Sequence, residues 1–437
     1  MNENRSGKIL DLIVIGAGAS GMTAAICATD KDINEIFGKN RETVASKNIL
    51  IIEKNKKTGQ KLYATGNGKC NISNAHFDFN CYNSENEFFP YEIIGNNDYE
   101  LVNEFINFLG VELISENGYF YPMSKQASTV VWALNDALKK NGIDVHKNET
   151  VTDIEMISDD FTGYKNVYKI TTDKDVYYSR RVVISCGGKA SPKLGGTGMG
   201  YELLDKLSVP VIKPLPALCK LESQNNTESL AGVRIRAKAS VLEHPDGDII
   251  CTDEGEIQFT EEYISGIAVF NISHMVSKML SDKEKVILRL ELIPDMNKES
   301  VLNYISNFKN KNPDRTLLSC LNGLINDKAA LYVLETLNIK NLPVCNTKND
   351  DIKKIISFIK KMDFDITAVS GFDNAQVTMG GADTRFVNTS DMSLKMYKNL
   401  YVTGEIIDVD GICGGYNLMW AIITGMKAGF AIYNDTN

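Results

Sequence analysis

The stretch Ile9-Leu10-Asp11-Leu12-Ile13-Val14-Ile15-Gly16-Ala17-Gly18-Ala19-Ser20-Gly21-Met22-Thr23-Ala24-Ala25-Ile26-Cys27-Ala28 decides the fold. Its first seven residues form a short, β-branched apolar run, the pattern of a strand buried on both faces of a parallel sheet. The glycines that follow are spaced G-x-G-x-x-G, and the residues after them read as a helix. A strand before and a helix after raise this spacing above coincidence. Gly16 permits the tight turn, Gly18 lets backbone approach a pyrophosphate, and Gly21 lets the helix pack close to the strand. The start of the helix, at Gly18, Ala19 and Ser20, offers N–H donors and a partial positive charge to the phosphates.

A second buried run, Asn48-Ile49-Leu50-Ile51-Ile52-Glu53, completes a βαβ unit. Glu53 ends it and is the acidic candidate for the ribose hydroxyls, the other reading being a carboxylate that caps a core strand. It follows Gly21 at a longer interval than the usual ~20 residues, and a polar insertion from about Lys31 to Lys47 accounts for the excess. The turn alone does not choose between NAD and FAD.

The far end of the chain chooses. Asn399-Leu400-Tyr401-Val402-Thr403-Gly404-Glu405 reads as a strand ending in Gly-acid, followed by Asp408-Val409-Asp410-Gly411-Ile412-Cys413-Gly414-Gly415-Tyr416-Asn417 and a helix. An extended dinucleotide with an isoalloxazine tail needs acids for its ribityl hydroxyls, here Glu405 and Asp410. It also needs bare backbone beside the ring, here Gly404, Gly414 and Gly415. This favours FAD, with the two ends of the chain expected to meet only around it.

The 437 residues suggest two or three domains, and 43% hydrophobic with 24% charged residues describes a globular protein with a sizeable core. A net charge of −9 gives no overall basic field, which argues against a nucleic-acid partner. Met1-Asn2-Glu3-Asn4-Arg5 does not read as a signal peptide, and no apolar run is long enough for a membrane span, so the expected location is cytoplasmic. The nine cysteines and four histidines lack metal-ligand or redox-pair spacing, which leaves no expected metal site.

After Gly200 the pattern changes. Segments near 217 to 222, 231 to 243, 247 to 260 and 285 to 292 are short and strand-like, implying a small barrel or sandwich. From Asn297 to about Lys361 the pattern is helical, with Leu317, Leu318, Leu321, Leu324 and Ile325 at helical spacing. Lys353-Lys354 and Lys360-Lys361 flank an isoleucine-rich run that reads as a core helix with a solvated face rather than a membrane-surface helix.

Further motifs complete the set: Gly59-Gln60-Lys61-Leu62; Thr65-Gly66-Asn67-Gly68-Lys69-Cys70-Asn71-Ile72-Ser73-Asn74; Tyr119-Phe120-Tyr121-Pro122; Cys186-Gly187-Gly188 before Gly196-Thr197-Gly198-Met199-Gly200; and Gln376-Val377-Thr378-Met379-Gly380-Gly381. With the C-terminal Gly404-Glu405 and Gly411-to-Asn417 runs, the chain resembles the bacterial FAD-dependent oxidoreductases grouped as aminoacetone-oxidase-like and 3-dehydro-bile-acid Δ4,6-reductase-like flavoproteins. The resemblance implies an α/β chain: a Rossmann-like FAD/NAD(P)-binding domain, residues 1–195 and 374–437, interrupted by a β-barrel substrate domain, 196–296 and 362–373. A helical insert, 297–361, interrupts the barrel in turn. It also extends the cofactor set to Lys54, Lys61, Thr65, Gly66, Asn67, Gly68, Cys70, Asn71, Gly187, Gly188 and Asn417, with Val151 beside adenine. Cys70 and Cys413 read as small residues packed beside non-covalent FAD rather than as a disulfide or a flavin thioether.

There is one departure. Relatives carry Phe-Thr-His and Ser-Gly-Pro where this chain has Phe259-Thr260-Glu261 and Ser265-Gly266-Ile267. The expected activity is reduction of an activated C=C bond, as in an enone of a steroid-like or alicyclic compound, with NADH or NADPH as transient donor. The alternatives are an oxidase of a small amine or aminoketone and a flavin-binding regulatory module with negligible turnover. No catalytic acid or base is assigned; Tyr263, Glu262 and Tyr416 are the candidates for a proton donor.

Overall fold

A computed structural model describes residues 9–38, 47–157 and 167–435. The chain divides into two compact units, Met1–Leu215 with Val377–Asn437, and Pro216–Gln376. The N-terminal pentapeptide and the middle of the polar insertion, residues 39–46, lie outside the described residues; the insertion begins with a short helix, Lys31–Ile36, capped by Asp30.

The first unit is built on five parallel strands: Leu12–Ile15 (β1), Ile49–Glu53 (β2), Asp144–Lys147 (β3), Val182–Ile184 (β4) and Leu400–Val402 (β5). Their order across the sheet is β5-β4-β1-β2-β3. This is the order of a dinucleotide-binding half, and the reversal between β1 and β4 opens a crevice at their carboxyl ends. β1, β2 and β4 are buried along their whole length, as their continuous Val, Ile and Leu runs demand of strands covered on both faces. Between β3 and β4 the chain forms an antiparallel meander of Val151–Ile157, Val167–Thr172 and Val176–Ser179.

The two ends of the chain do not wait for a cofactor to meet. Helix Ala19–Cys27 (α1) packs directly on the C-terminal helix Tyr416–Asn434 (α2). Gly425 and Gly429 make the approach possible: a Cβ on Gly425 would lie 2.5 Å from the Ser20 carbonyl oxygen, and one on Gly429 would lie 2.5 Å from Cys27 Cβ. Residues with side chains would hold α2 away from the turn that α1 carries.

The second unit is a closed barrel of six strands, Leu221–Ser223, Tyr263–Ser265, Ile249–Phe259, Arg234–Leu242, Val286–Glu291 and Met362–Val369 in spatial order. Closure separates it from the sandwich alternative, and the strand that completes it follows the helical insert. Helix Ile267–Ser281, absent from the sequence reading, lies against the barrel strands. Its N-cap, Gly266, has φ +110° and a Cβ there would meet the Glu256 carbonyl oxygen at 2.2 Å. The 259–267 segment is therefore a tight turn tied by Tyr263 N–H to Thr260 Oγ1. The insert holds helices Lys298–Lys311, Leu317–Leu321, Asp327–Thr336 and Asn349–Lys360. In the last, Ile352, Ile355, Ile356 and Ile359 are buried, and Lys360 Nζ bonds Glu291 Oε1 at 2.6 Å. It is a core helix.

Candidate cofactor site

The motifs converge on the carboxyl ends of the parallel strands. Gly16 follows β1, Glu53 ends β2 with Lys54 next, Gly187 and Gly188 follow β4, and Gly404 and Glu405 follow β5. Ser185 pins the switch point, its Oγ donating to the carbonyl oxygens of Ile15 and Gly16, both at 3.0 Å.

The glycines fall into two classes. Some are packed: a Cβ on Gly21 would lie 2.1 Å from Gly16 O and 2.4 Å from Ser185 Oγ, one on Gly404 2.6 Å from Ser20 Oγ, and one on Gly188 2.4 Å from Thr378 Oγ1. These allow protein to approach protein. Gly18 and Gly187 are different, because nothing lies within 4 Å of the Cβ each lacks. They leave bare backbone facing open space at the mouth of the crevice, the shape a bound dinucleotide fills. Gly18 is also the N-cap of α1, which has neither a side-chain cap nor an acid in its first turn. Its leading N–H groups are left for an anion.

Glu53 is buried, and its Oε2 accepts the Ala17 N–H at 2.8 Å while Oε1 accepts the Asn55 N–H at 2.7 Å. The residue ties the glycine turn to β2. The segment leading to Val151 runs beside it, through Glu149 N–H to Glu53 O at 3.1 Å and Asn148 N–H to Asn55 O at 3.1 Å. Val151 itself is buried at the start of the meander. Lys54 bonds Thr197 Oγ1, and burial lowers its pKa.

The second cluster forms around the signature loop. Gly59 N–H donates to Ala17 O at 2.7 Å, joining this loop to the glycine turn. Gly66 and Asn67 both take left-handed backbone, and Cys70 closes the loop through its N–H to Thr65 O at 3.0 Å. Burial pushes the Cys70 thiol up to about 11, so it stays protonated. All nine cysteines are free. Lys61 pairs with Glu405, which also accepts the Thr378 N–H at 3.0 Å.

Gly415 is the N-cap of α2, with φ +99°, and a Cβ there would lie 2.9 Å from Asn71 Oδ1 and 3.0 Å from Ser73 O. Asn71 Oδ1 is buried without a hydrogen-bond partner, an acceptor left for a ligand donor. Asn417 holds the motif shut, accepting the Gly411 N–H at 2.8 Å and donating to Gly411 O at 2.6 Å. Asp410 is buried, pairs with Asn83 Nδ2 at 3.1 Å, and is pushed up to about 8 by burial and by Asp408 and Glu405 nearby. Tyr416 donates its hydroxyl to His76 O, and burial raises its pKa. Tyr263 and Glu262 lie in the barrel unit, where Lys220 Nζ stands 5.7 Å from the Tyr263 ring centre.

Sequence reasoning missed Thr378 as a site residue. It is fully buried, and its Oγ1 accepts the N–H groups of Lys189 at 2.8 Å and Ala190 at 2.9 Å. It joins the turns after β4 and β5, and the only sequence signal was its place inside the Gln376–Gly381 motif.

A model of the family described as HI0933-like protein Rossmann domain matches residues 10–431. The chain belongs to this family. Its members are FAD-dependent oxidoreductases with a Rossmann-like fold, which the glycine turn, strand order and bare crevice fit. Within it the chain is 33% identical to the 3-dehydro-bile acid delta(4,6)-reductase of Clostridium scindens, over 96% of this chain and 98% of the relative. It is 25% identical to the ribosomal RNA dihydrouridine synthase of Haemophilus influenzae, over 94% of this chain and 95% of the relative. Among solved structures, a 3-ketosteroid delta1-dehydrogenase from Sterolibacterium denitrificans aligns with 98% of this chain and all of its own at 12% identity and a TM-score of 0.47. With an RNA-modifying name among the HI0933-like relatives, the net charge of −9 does not support excluding nucleic acid. Among the described residues no helix is long and apolar enough to cross a membrane.

Proposed function

We propose that this chain reduces a C=C bond conjugated to a carbonyl, with NADH or NADPH as the transient electron source. The observation that carries the reading is the bare backbone at Gly18 and Gly187, at the switch point between β1 and β4. In this reading Gly18, Ala19 and Ser20 hold the pyrophosphate of FAD, Glu53 accepts from the ribose, Val151 flanks adenine, and Lys54 and Lys61 set the positive rim. The turn at Gly66 to Asn71 and the start of α2 at Gly414-Gly415 border the isoalloxazine. FAD, when bound, supplies hydride transfer at N5. The chain's own part would be to orient it, the N–H groups at the start of α2 being available to stabilise the negative charge that gathers on the flavin on reduction.

The direction of reaction rests on the names of the two relatives described above. One name denotes a reductase of a 3-oxo steroid at its delta(4,6) positions, and the other denotes uridine made into dihydrouridine. Both describe hydrogen added to a ring C=C in conjugation with a carbonyl. The barrel unit and its insert are assigned the selection of substrate, and the free thiols suit a reducing, cytoplasmic setting. Purified protein should release about one FAD per chain on denaturation, and NADH or NADPH should bleach its visible band without oxygen. Flavin-free protein, or flavin that neither nucleotide reduces, counts against the reading.

A further inference from the structure

The helical insert carries the opposite charge to the chain around it. Residues 297–361 hold eleven Lys and Arg against six Asp and Glu, whereas the whole chain holds 47 against 56. Within the insert, residues 300–313 and 336–349 contain no carboxylate at all, and each contains four asparagines.

The fold lays these two stretches side by side. Thr316 and Pro343 form an antiparallel bridge. Val344 N–H bonds Arg315 O at 2.8 Å, Leu317 N–H bonds Leu342 O at 2.9 Å, and Cys345 N–H bonds Pro313 O at 3.2 Å. Lys309 Nζ reaches Thr347 O at 3.4 Å. The result brings Lys309, Lys311, Arg315, Lys340 and Lys348 onto one end of the insert, all but the half-buried Lys309 exposed. Among the described residues none of the five makes an ion pair, although other exposed cations of this unit do, such as Arg236 with Glu254. The Arg315 guanidinium lies over the Phe308 ring, 5.5 Å from its centre.

Helix electrostatics explains only part of this. Lys309 and Lys311 sit in the last turn of helix Lys298–Lys311, where cations complement the dipole. Arg315, Lys340 and Lys348 have no such role, and the carboxylates that bound these stretches, Asp314, Glu335, Asp350 and Asp351, form no ion pair with any of the five among the described residues, Asp350 instead facing Lys353. A membrane surface would call for a row of exposed apolar or aromatic side chains beside the cations. Here the neighbours are asparagines, with Leu302 and Leu342 the large apolar side chains that protrude. Amides and unpaired cations are the groups that contact phosphate and sugar in nucleic-acid complexes.

We propose that this end of the helical insert, centred on Lys309, Lys311, Arg315, Lys340 and Lys348, is a docking surface for the phosphodiester backbone of RNA. It is independent of the redox reading above, since no residue of the surface belongs to the cofactor site. Five released counterions imply that affinity falls roughly 10²- to 10³-fold between about 50 and about 200 mM salt.

The test titrates full-length, flavin-loaded protein into a fluorescein-labelled RNA stem-loop and reads anisotropy at both salt concentrations. The comparison is a variant carrying Lys309→Gln, Lys311→Gln, Arg315→Gln, Lys340→Gln and Lys348→Gln. All five side chains point to solvent or its margin, so flavin content and melting temperature should match the wild type. The surface is supported if the wild type binds with the steep salt dependence, and the variant loses at least tenfold in affinity and most of the slope. It is overturned if RNA does not bind at low salt, if the variant binds equally well, or if phosphatidylglycerol vesicles compete the protein off RNA with the same charge dependence. Flavin content and nicotinamide reduction, measured on the same samples, keep a failure here distinct from a failure of the redox reading.

Discussion

The carboxylate of Glu53 accepts the backbone N–H of Ala17 at 2.8 Å, so the acid at the end of β2 and the middle of the glycine turn are fastened to each other by the protein alone. Its second oxygen holds the Asn55 N–H. Glu53→Ala should therefore act twice. Loss of a charge-assisted acceptor, worth roughly 1.5 to 3 kcal/mol, should weaken FAD binding by about tenfold or more and also lower the melting temperature of apoprotein. Flavin fluorescence titration and calorimetry read the two effects. An unchanged dissociation constant with a lowered melting temperature would leave Glu53 as a brace for the turn without a ribose contact.

Gly18 and Gly21 are three residues apart and should respond oppositely. Gly18 has φ −81° and open space where a Cβ would stand, so Gly18→Val should leave apoprotein stability within about 0.5 kcal/mol while FAD occupancy collapses. Gly21→Val forces a side chain into the Gly16 carbonyl oxygen and should destabilise the apoprotein itself. If Gly18→Val retains full occupancy, the space beside Gly18 is not where the pyrophosphate lies.

Asp410 gives the stability a pH dependence with a definite sign. Its carboxyl is raised from an ordinary 3.8 to about 8 by burial, so the folded chain keeps a proton that the unfolded chain releases. Between about pH 4 and pH 8 the unfolded state binds fewer protons, and stability falls as pH rises. Asp408, raised to about 6 chiefly by burial, adds to the same trend over the lower part of that window. Asp410→Asn removes the buried ionisation. Apoprotein of this variant should gain more than about 1 kcal/mol over wild type at pH 8 and nothing near pH 4. A gain that is constant across the range would deny Asp410 this titration.

Gly415 links α2 to the redox chemistry. With φ +99° and Asn71 and Ser73 close by, a side chain there would push the signature loop from the helix start. A helix N-terminus stabilises a nearby anion by up to ~2 kcal/mol, or about 40 mV for a two-electron couple. In Gly415→Ala, the milder change, spectroelectrochemical titration should find a lower flavin potential at full occupancy. An unaltered potential would mean that α2 does not face the flavin.

What could be read before the structure depends on how local each signal was. The βαβ start was legible to within a few residues because strand, turn, helix and Glu53 lie in one stretch, and each obeys a spacing that backbone geometry imposes. Gly414-Gly415 was legible as a helix start for the same reason. The barrel's closing strand, Met362–Val369, follows the whole insert, and its partners Leu221–Ser223 and Val286–Glu291 give no local sign of closure. Thr378 was hidden because its partners, Lys189, Ala190 and Glu405, are all distant along the chain. Helix Ile267–Ser281 has no local start signal of the usual kind, because its N-cap is Gly266, at φ +110°, and no side chain caps it. The direct packing of α1 on α2 was written in Gly425 and Gly429, two small residues four apart on one helical face, and overturns the expectation that the chain ends meet only around a cofactor.

The most direct test of the central claim is a double-mixing experiment without oxygen. Flavin-loaded protein is first reduced by limiting NADH or NADPH and then mixed with either a 3-oxo-4,6-diene steroid or a uridine-containing RNA, while the visible flavin band is followed. The account expects bleaching by a nicotinamide nucleotide and rapid return of the band with one of the conjugated acceptors, with the product carrying two more hydrogens by mass. Bleaching that only oxygen reverses, with both acceptors recovered unchanged, would contradict it.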